Sequence, residues 1–363
     1  MKIVIQNPHL LGDSLIPGIH DYLSLFINKY KPTISINPFT SRNIFSWFKY
    51  LKRKNLPLTG WNYLKTTKQL KYYDVWLCFS GTSALPDHCI PSNFFGLKLY
   101  HVMDYNFHSS FANECFLKSK IDYLIGYGSH DHYCPFFQYI FKDYKNKVIP
   151  FPFGISDRFK LIIPFKNKEI KASVMGAVNR IANVGLEKQV EDYKIFYSDL
   201  KWGYPNRQMI RENMGNLDDL IISFLASEKE RVNLSYDSVL ELNKYKFFVN
   251  EDSIKHYLPA RTYEGTACGS IMVGSDHPCY NEFGWHAGYN YLSHKFANFD
   301  DLKTVIKKSI NDIDLLNIIQ KRSLTLSENF RHHILCDKLY NTINKLYYGD
   351  NTLSVKNQFR RDN

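Results

Sequence analysis

The 363-residue chain has no run of about 18–20 consecutive apolar residues, the length a helix needs to cross a bilayer. An integral helical membrane protein is excluded on that ground. There is no C-x-x-C pair either: the seven cysteines, at 78, 89, 115, 134, 268, 279 and 336, are odd in number and scattered. That spacing argues against a disulfide framework and a structural zinc site, and for a reducing, cytoplasmic compartment. The start of the chain, Met1 to Pro8, reads as a strand entering a turn and lacks the apolar core and cleavage site of a secretion signal. A P-loop is absent, and Gly126-Tyr127-Gly128 lacks the third glycine of a dinucleotide fingerprint, which argues against a dinucleotide oxidoreductase.

Acidic residues are missing from one long stretch. Between Asp21 and Asp74 there is none, whereas ten lysines and arginines fall there, interleaved with Phe45, Trp47, Phe48, Tyr50 and Trp61. Much of the net charge of +11 is therefore local. Basic residues beside large apolar ones suit the headgroup layer of an anionic membrane, with Trp47, Phe48, Lys52, Arg53 and Lys54 as the membrane surface. Nucleic acid and a merely solvated basic face are the competing readings.

What is present is a globular composition, 44% hydrophobic and 22% charged, long enough for two domains. Lys2–Gln6, Thr33–Ile36, Asp74–Phe79, Lys98–Val102 and Tyr123–Ile125 read as strands, with helical spacing between them, as over Ser14–Asn28. Prolines 150, 152 and 164 and the polar Lys166-Asn167-Lys168 mark a linker. A second series follows, with strands at Ala172–Met175, Ile195–Tyr197, Lys246–Asn250, Ser270–Val273 and Tyr289–Leu292. Its helices are Asn206–Met214, Ser235–Leu242, Arg261–Cys268, Phe299–Ile310 and Asp314–Leu326, before a long last helix over Arg331–Tyr348. The expectation is an α/β chain with two Rossmann-like domains, residues 1–160 and 161–348, and a polar, unstructured tail over 349–363. Ligands of such folds bind at the carboxyl ends of the strands, in the cleft.

Residues 244–275 are the most informative. A buried strand, Phe247-Phe248-Val249, ends in Asn250-Glu251-Asp252, and a helix opens near Pro259. Backbone N–H groups around Ala260, Arg261 and Thr262 form a site for a diphosphate, to which Arg261 adds a fork of donors. Glu264, one turn on, would accept both hydroxyls of a ribose. The plain alternative is a surface ion pair between Arg261 and Glu264.

Arg261 to Ser270, followed by Ile-Met-Val, resembles the "R-x-x-E-x-x-A-x-G-x-x-x-V" signature of group 1 glycosyltransferases, nearest the spore-maturation-like branch. Residues 147–159 resemble the "V-I-P-x-G-V-D-x-x-F" segment that closes the first domain in that superfamily. Residues 236–244 are similar to its "Y-x-x-x-L-x-x-S-K" helix, and Tyr204-Pro205-Asn206-Arg207 to its "Y-P-x-R" element. The resemblance spans about residues 120–345 and implies the GT-B architecture, with a last helix crossing back to the first domain. It also implies a nucleotide-sugar donor held by Gly176, Arg180, Arg207, His256, Ala260, Arg261, Thr262 and Glu264. Two departures stand out: His256 occupies the place, eight before Glu264, of a glutamate common in retaining members, and Arg180 and Lys188 come late for the diphosphate pair. Retention or inversion stays open.

In the first half, the strand Leu99–Val102 runs into His101 and Asp104, candidates for the base that activates an acceptor hydroxyl. His101 is preferred because an unperturbed imidazole titrates near neutrality. The family's "H-D" at this strand end supports the pair. Gly12 and Asp13 form a second loop on the acceptor side, although Asp13 also suits a helix cap. Asp312-Ile313-Asp314 matches a metal-binding D-x-D but reads as a cap between helices; His130-Asp131-His132 reads as a surface turn. The expected activity is metal-free glycosyl transfer, without cofactor, to a saccharide or lipid-linked acceptor at an anionic membrane surface, with no nucleic acid involved. A nucleotide-sugar epimerase of similar fold and a non-catalytic basic adaptor are the alternatives.

Overall fold

Short β-branched and aromatic runs alternate with amphipathic segments, and this alternation builds two parallel sheets. The computed structural model describes residues 1–12, 18, 20–79, 90–91, 93–102, 109–178, 196, 203–216, 218–226 and 236–349. These fall into two units: Met1–Gly154 with residues 332–349, and Ile155–Arg331.

The first unit holds β1 (Ile3–Gln6), β2 (Thr33–Ser35), β3 (Val75–Phe79), β4 (Leu97–His101), β5 (Tyr123–Gly126) and β6 (Val148–Pro150). Their order is β2-β1-β3-β4-β5-β6, every pair parallel. β1 and β3 are buried at every residue, as strands covered on both faces must be. Helix α1 (Asp21–Tyr30) buries Tyr22, Leu23, Phe26 and Ile27 at helical spacing. Helix α2 (Ser41–Arg53), capped by the Thr40 hydroxyl, spans the basic aromatic stretch; α3 is Ser109–Ser119.

Helix α2 corrects part of the membrane expectation. Trp47 is fully buried, stacks on Tyr50 and donates its indole N–H to the Tyr63 hydroxyl at 3.0 Å. It is a core residue and has no face to offer a bilayer. Lys54 is paired with Asp21. Phe45 (71% exposed) and Phe48 (43%) do point outward, beside exposed Lys52 and Arg53.

The last helix, His332–Tyr347, belongs to this first unit, as the resemblance implied, so the second unit stops at Arg331 and not at 348. Its packing against α1 explains why. His332 Nδ1 accepts from the Tyr22 N–H, Lys29 pairs with Asp337 at 2.5 Å, and the Tyr30 and Tyr340 rings stack at 4.1 Å.

The second unit has β7 (Glu169–Ala177), β8 (Ile221–Ala226), β9 (Tyr245–Val249), β10 (Ile271–Ser275) and β11 (Leu292–His294), in the order β11-β10-β9-β7-β8, all parallel. Its helices are α4 (Pro205–Glu212), α5 (Ser238–Lys244), α6 (Ala260–Ala267), α7 (Phe299–Ser309) and α8 (Ile313–Ser327). Ile210, Phe247, Ile271, Val273, Leu302 and Ile319 are among the residues of its core. Gly265 is needed there: a Cβ would stand 2.6 Å from the Phe248 ring, so α6 lies directly on β9. Strand β8 was not foreseen, and the strand expected over 195–197 falls, Phe196 apart, outside the described residues, as do Asp13, Asp104, Arg180, Lys188 and the tail.

Candidate active site

Strand order reverses between β7 and β9, and ligands of open parallel sheets bind outside the carboxyl ends at such a switch point. Gly176, near the end of β7, has φ +128°. A Cβ there would stand 2.7 Å from Arg207 Cζ, so glycine lets the guanidinium lie against the strand. Arg207 Nη1 donates to the Ala177 carbonyl at 3.2 Å, and its guanidinium sits 4.9 Å from the Tyr204 ring centre. Two donor-site residues named from the sequence, Gly176 and Arg207, are thus brought into contact.

From the end of β9 come Asn250, Glu251 and Asp252, all buried. Their polarity was legible, but no role was assigned to them. The Glu251 carboxylate accepts the Arg207 N–H at 2.8 Å and the Ser253 N–H at 2.9 Å. Burial raises its pKa to about 8, with the Arg207 charge opposing. The folded carboxyl therefore holds its proton more tightly than the unfolded chain does. Its contribution to stability is complete below about pH 4.5 and is lost as pH rises through about 8. The urea midpoint should fall from pH 5 to pH 9, and fall less in Glu251→Gln; an equal fall in both proteins would show that Glu251 is not the group responsible.

Asp252 holds His256. Its Oδ2 lies 3.1 Å from His256 Nδ1, and its Oδ1 accepts from Asn206 Nδ2 at 3.4 Å. His256 takes a left-handed backbone, φ +47°, and its ring stacks on His277 at 3.9 Å with the planes 5° apart. Burial, with His256 adding to it, pulls His277 down to about 4. The sequence reading missed His277; its position just past β10 in a parallel sheet was the available signal.

At the start of α6, Pro259 supplies no capping side chain, leaving first-turn N–H groups of Ala260 and Arg261 without helix partners. Thr262 is buried and its hydroxyl donates to Asn250 Oδ1 at 3.1 Å. Arg261 Nη1 and Glu264 Oε2 are 3.1 Å apart, an ion pair along one helix face.

Ligand atoms of Asp252, His277 and Cys279 lie within 4.8 Å of one another. His277 Nδ1 already accepts the Cys279 N–H at 3.2 Å, and burial holds the Cys279 thiol far above its ordinary pKa. Asp312 caps α8, its Oδ1 accepting from the Leu315 N–H at 2.9 Å. His130 and Asp131 are buried in a short helical turn, not on the surface as expected.

In the first unit His101 ends β4 and is 1% exposed. The rings of Phe79, Tyr127 and His20 surround it at 5.4–6.0 Å. Burial pulls its pKa to about 3, so the imidazole is neutral at pH 7 and the near-neutral pKa expected of it is lost. Gly12 closes a four-residue helical turn, His9–Gly12, beyond β1.

Two Rossmann-like units with parallel sheets are the GT-B class of fold. Solved structures similar to this chain include HepE of Anabaena in complex with UDP-glucose, with TM-score 0.55, 12% identity, and coverage of 95% of this chain and 100% of that one. A glycosyltransferase from Rickettsia africae gives TM-score 0.53 and 12% identity, over 96% and 99%. No family model and no curated protein matches the sequence. At 12% identity the likeness is one of fold.

Proposed function

We propose that the protein is a glycosyltransferase that moves a sugar from a nucleotide-sugar to a saccharide acceptor, a lipid-linked or cell-surface glycan such as capsule or lipopolysaccharide. The observation that supports this best is the β7–β9 switch point, where Gly176, Arg207 and the Asp252–His256 pair lie at strand ends, with the uncapped start of α6 following β9. A diphosphate fits the first-turn N–H groups and Arg261; Glu264 fits ribose hydroxyls. Stabilising charge on the leaving diphosphate is what this chemistry needs most. His256, oriented by Asp252, is placed to hold a sugar hydroxyl. His101, with Asp104, serves the acceptor as a neutral hydrogen-bonding imidazole.

Arg261 and the helix start supply the positive charge, so transfer should proceed without a metal. Radiolabel transfer from UDP-glucose, and from other nucleotide-sugars in parallel, should persist in EDTA. Loss in EDTA with recovery on adding Mg²⁺ or Mn²⁺ would overturn the metal-free step.

Docking on anionic lipid remains part of this reading, now carried by Phe45, Phe48, Lys52 and Arg53. No described helix is long and apolar enough to cross a membrane. Sedimentation with phosphatidylglycerol vesicles should fall in a Phe45→Ala, Phe48→Ala, Lys52→Glu, Arg53→Glu variant. Equal sedimentation of variant and wild type would leave these residues as an ordinary solvated face.

A further inference from the structure

The amino-terminal edge of the first sheet carries a hollow of about 820 Å³ that the glycosyl-transfer reading does not use. Its volume lies within the ~300–1,000 Å³ usual for small-molecule sites. The starts of β1, β2 and β3 lie a strand length from the carboxyl ends that carry Gly12 and His101, about 15 Å at ~3.3 Å per residue. The two sites are therefore separate.

Its walls are aromatic: Tyr30, Trp61, Tyr63, Tyr72, Tyr73 and Tyr340. Tyr72 is 58% exposed, with Lys71 Nζ 5.0 Å from its ring centre. The indole of Trp61 is fixed, its N–H donating to the Pro57 carbonyl at 2.6 Å and Lys31 Nζ standing 4.8 Å over the ring. Lys2, Lys31 and Lys65 line the rim, all exposed, with Lys31 Nζ also donating to Asn28 Oδ1 at 2.9 Å, and no carboxylate is among the described residues that line the hollow. The nearby carboxylates are engaged elsewhere, Asp337 by Lys29 and Tyr30, and Asp74 by the Lys2 N–H and the Tyr347 hydroxyl. Asn62 and Gln69 add side-chain amides, Gln69 Oε1 accepting from the Lys65 and Thr66 N–H groups at 2.9 and 3.2 Å.

Flat aromatic faces pack against the C–H faces of pyranose rings, amides match hydroxyls, and ammonium groups match carboxylates. We infer that this hollow is a second saccharide site that takes a short acidic glycan. Nucleic acid fits less well, because its affinity rests on about 6–10 phosphate contacts and three lysines supply too few.

Calorimetry on the full chain tests this, with tetragalacturonate, maltotetraose and oligo-dT as probes. Tetragalacturonate should bind, several-fold more weakly at 300 mM than at 50 mM salt. The surface variant Tyr72→Ala, Lys65→Glu should lose at least tenfold in affinity without a change in melting temperature. Absence of tetragalacturonate binding at millimolar concentration, equal binding of maltotetraose, tighter binding of oligo-dT, or unchanged affinity in the variant would each overturn the inference.

Discussion

Lys168→Met is expected to destabilise the second unit by about 3 kcal/mol or more, the largest loss from any single substitution considered. Lys168 is 3% exposed, and its ammonium donates to the carbonyls of Leu242, Asn243 and Cys268 at 3.2, 2.6 and 3.0 Å. It ties the ends of α5 and α6 to the start of β7. Burial pulls its pKa down to about 7, so desolvation offsets part of what these bonds contribute. Methionine fills the same volume but leaves three buried carbonyls without this donor, each worth about 1–3 kcal/mol. Ser270, whose hydroxyl donates toward Leu242 and Tyr245, recovers one of them at most. Urea unfolding at pH 7 measures the difference; a loss below about 1 kcal/mol would mean that the three carbonyls find other donors.

Arg261→Ala is expected to cost the largest share of donor affinity while leaving the fold intact. The side chain is partly exposed and its one described ion-pair partner is Glu264, four-fifths of a turn away. Losing a charge-assisted hydrogen bond to a diphosphate costs about 1.5–3 kcal/mol, roughly ten- to a hundredfold in Kd. Glu264 would then stand buried without its cation, so Glu264→Gln in the Arg261→Ala background should recover stability but not affinity. If calorimetry gave Arg261→Ala the wild-type Kd, Arg261 would be a partner of Glu264 and nothing more.

The sheets were legible because fully buried parallel strands are near-continuous apolar runs, as in Val75–Phe79 and Phe247–Val249. Strand β8, Ile221–Ala226, escaped because an edge strand with four half-buried residues has a weaker pattern. Trp47 was misplaced for a physical reason as well. Charge density over 42–71 is a property of the stretch, whereas helix phase decides that Trp47 and Tyr50 turn inward and Phe45 and Phe48 outward. Within the site, Gly176 and Arg207 were named from the sequence, and their contact across thirty-one residues needed the structure. The stacking of His256 on His277 joins the ends of β9 and β10, which no spacing in the sequence announces.

Donor binding is the most direct test of the central claim. Wild-type protein titrated calorimetrically with UDP-glucose and a panel of nucleoside diphosphates, in EDTA, should bind at least one of them. At a hundredfold excess over Kd that ligand should add about 2.7 kcal/mol to stability by mass action. Failure of every nucleotide to bind folded wild-type protein at millimolar concentration would contradict a donor site at the β7–β9 switch point.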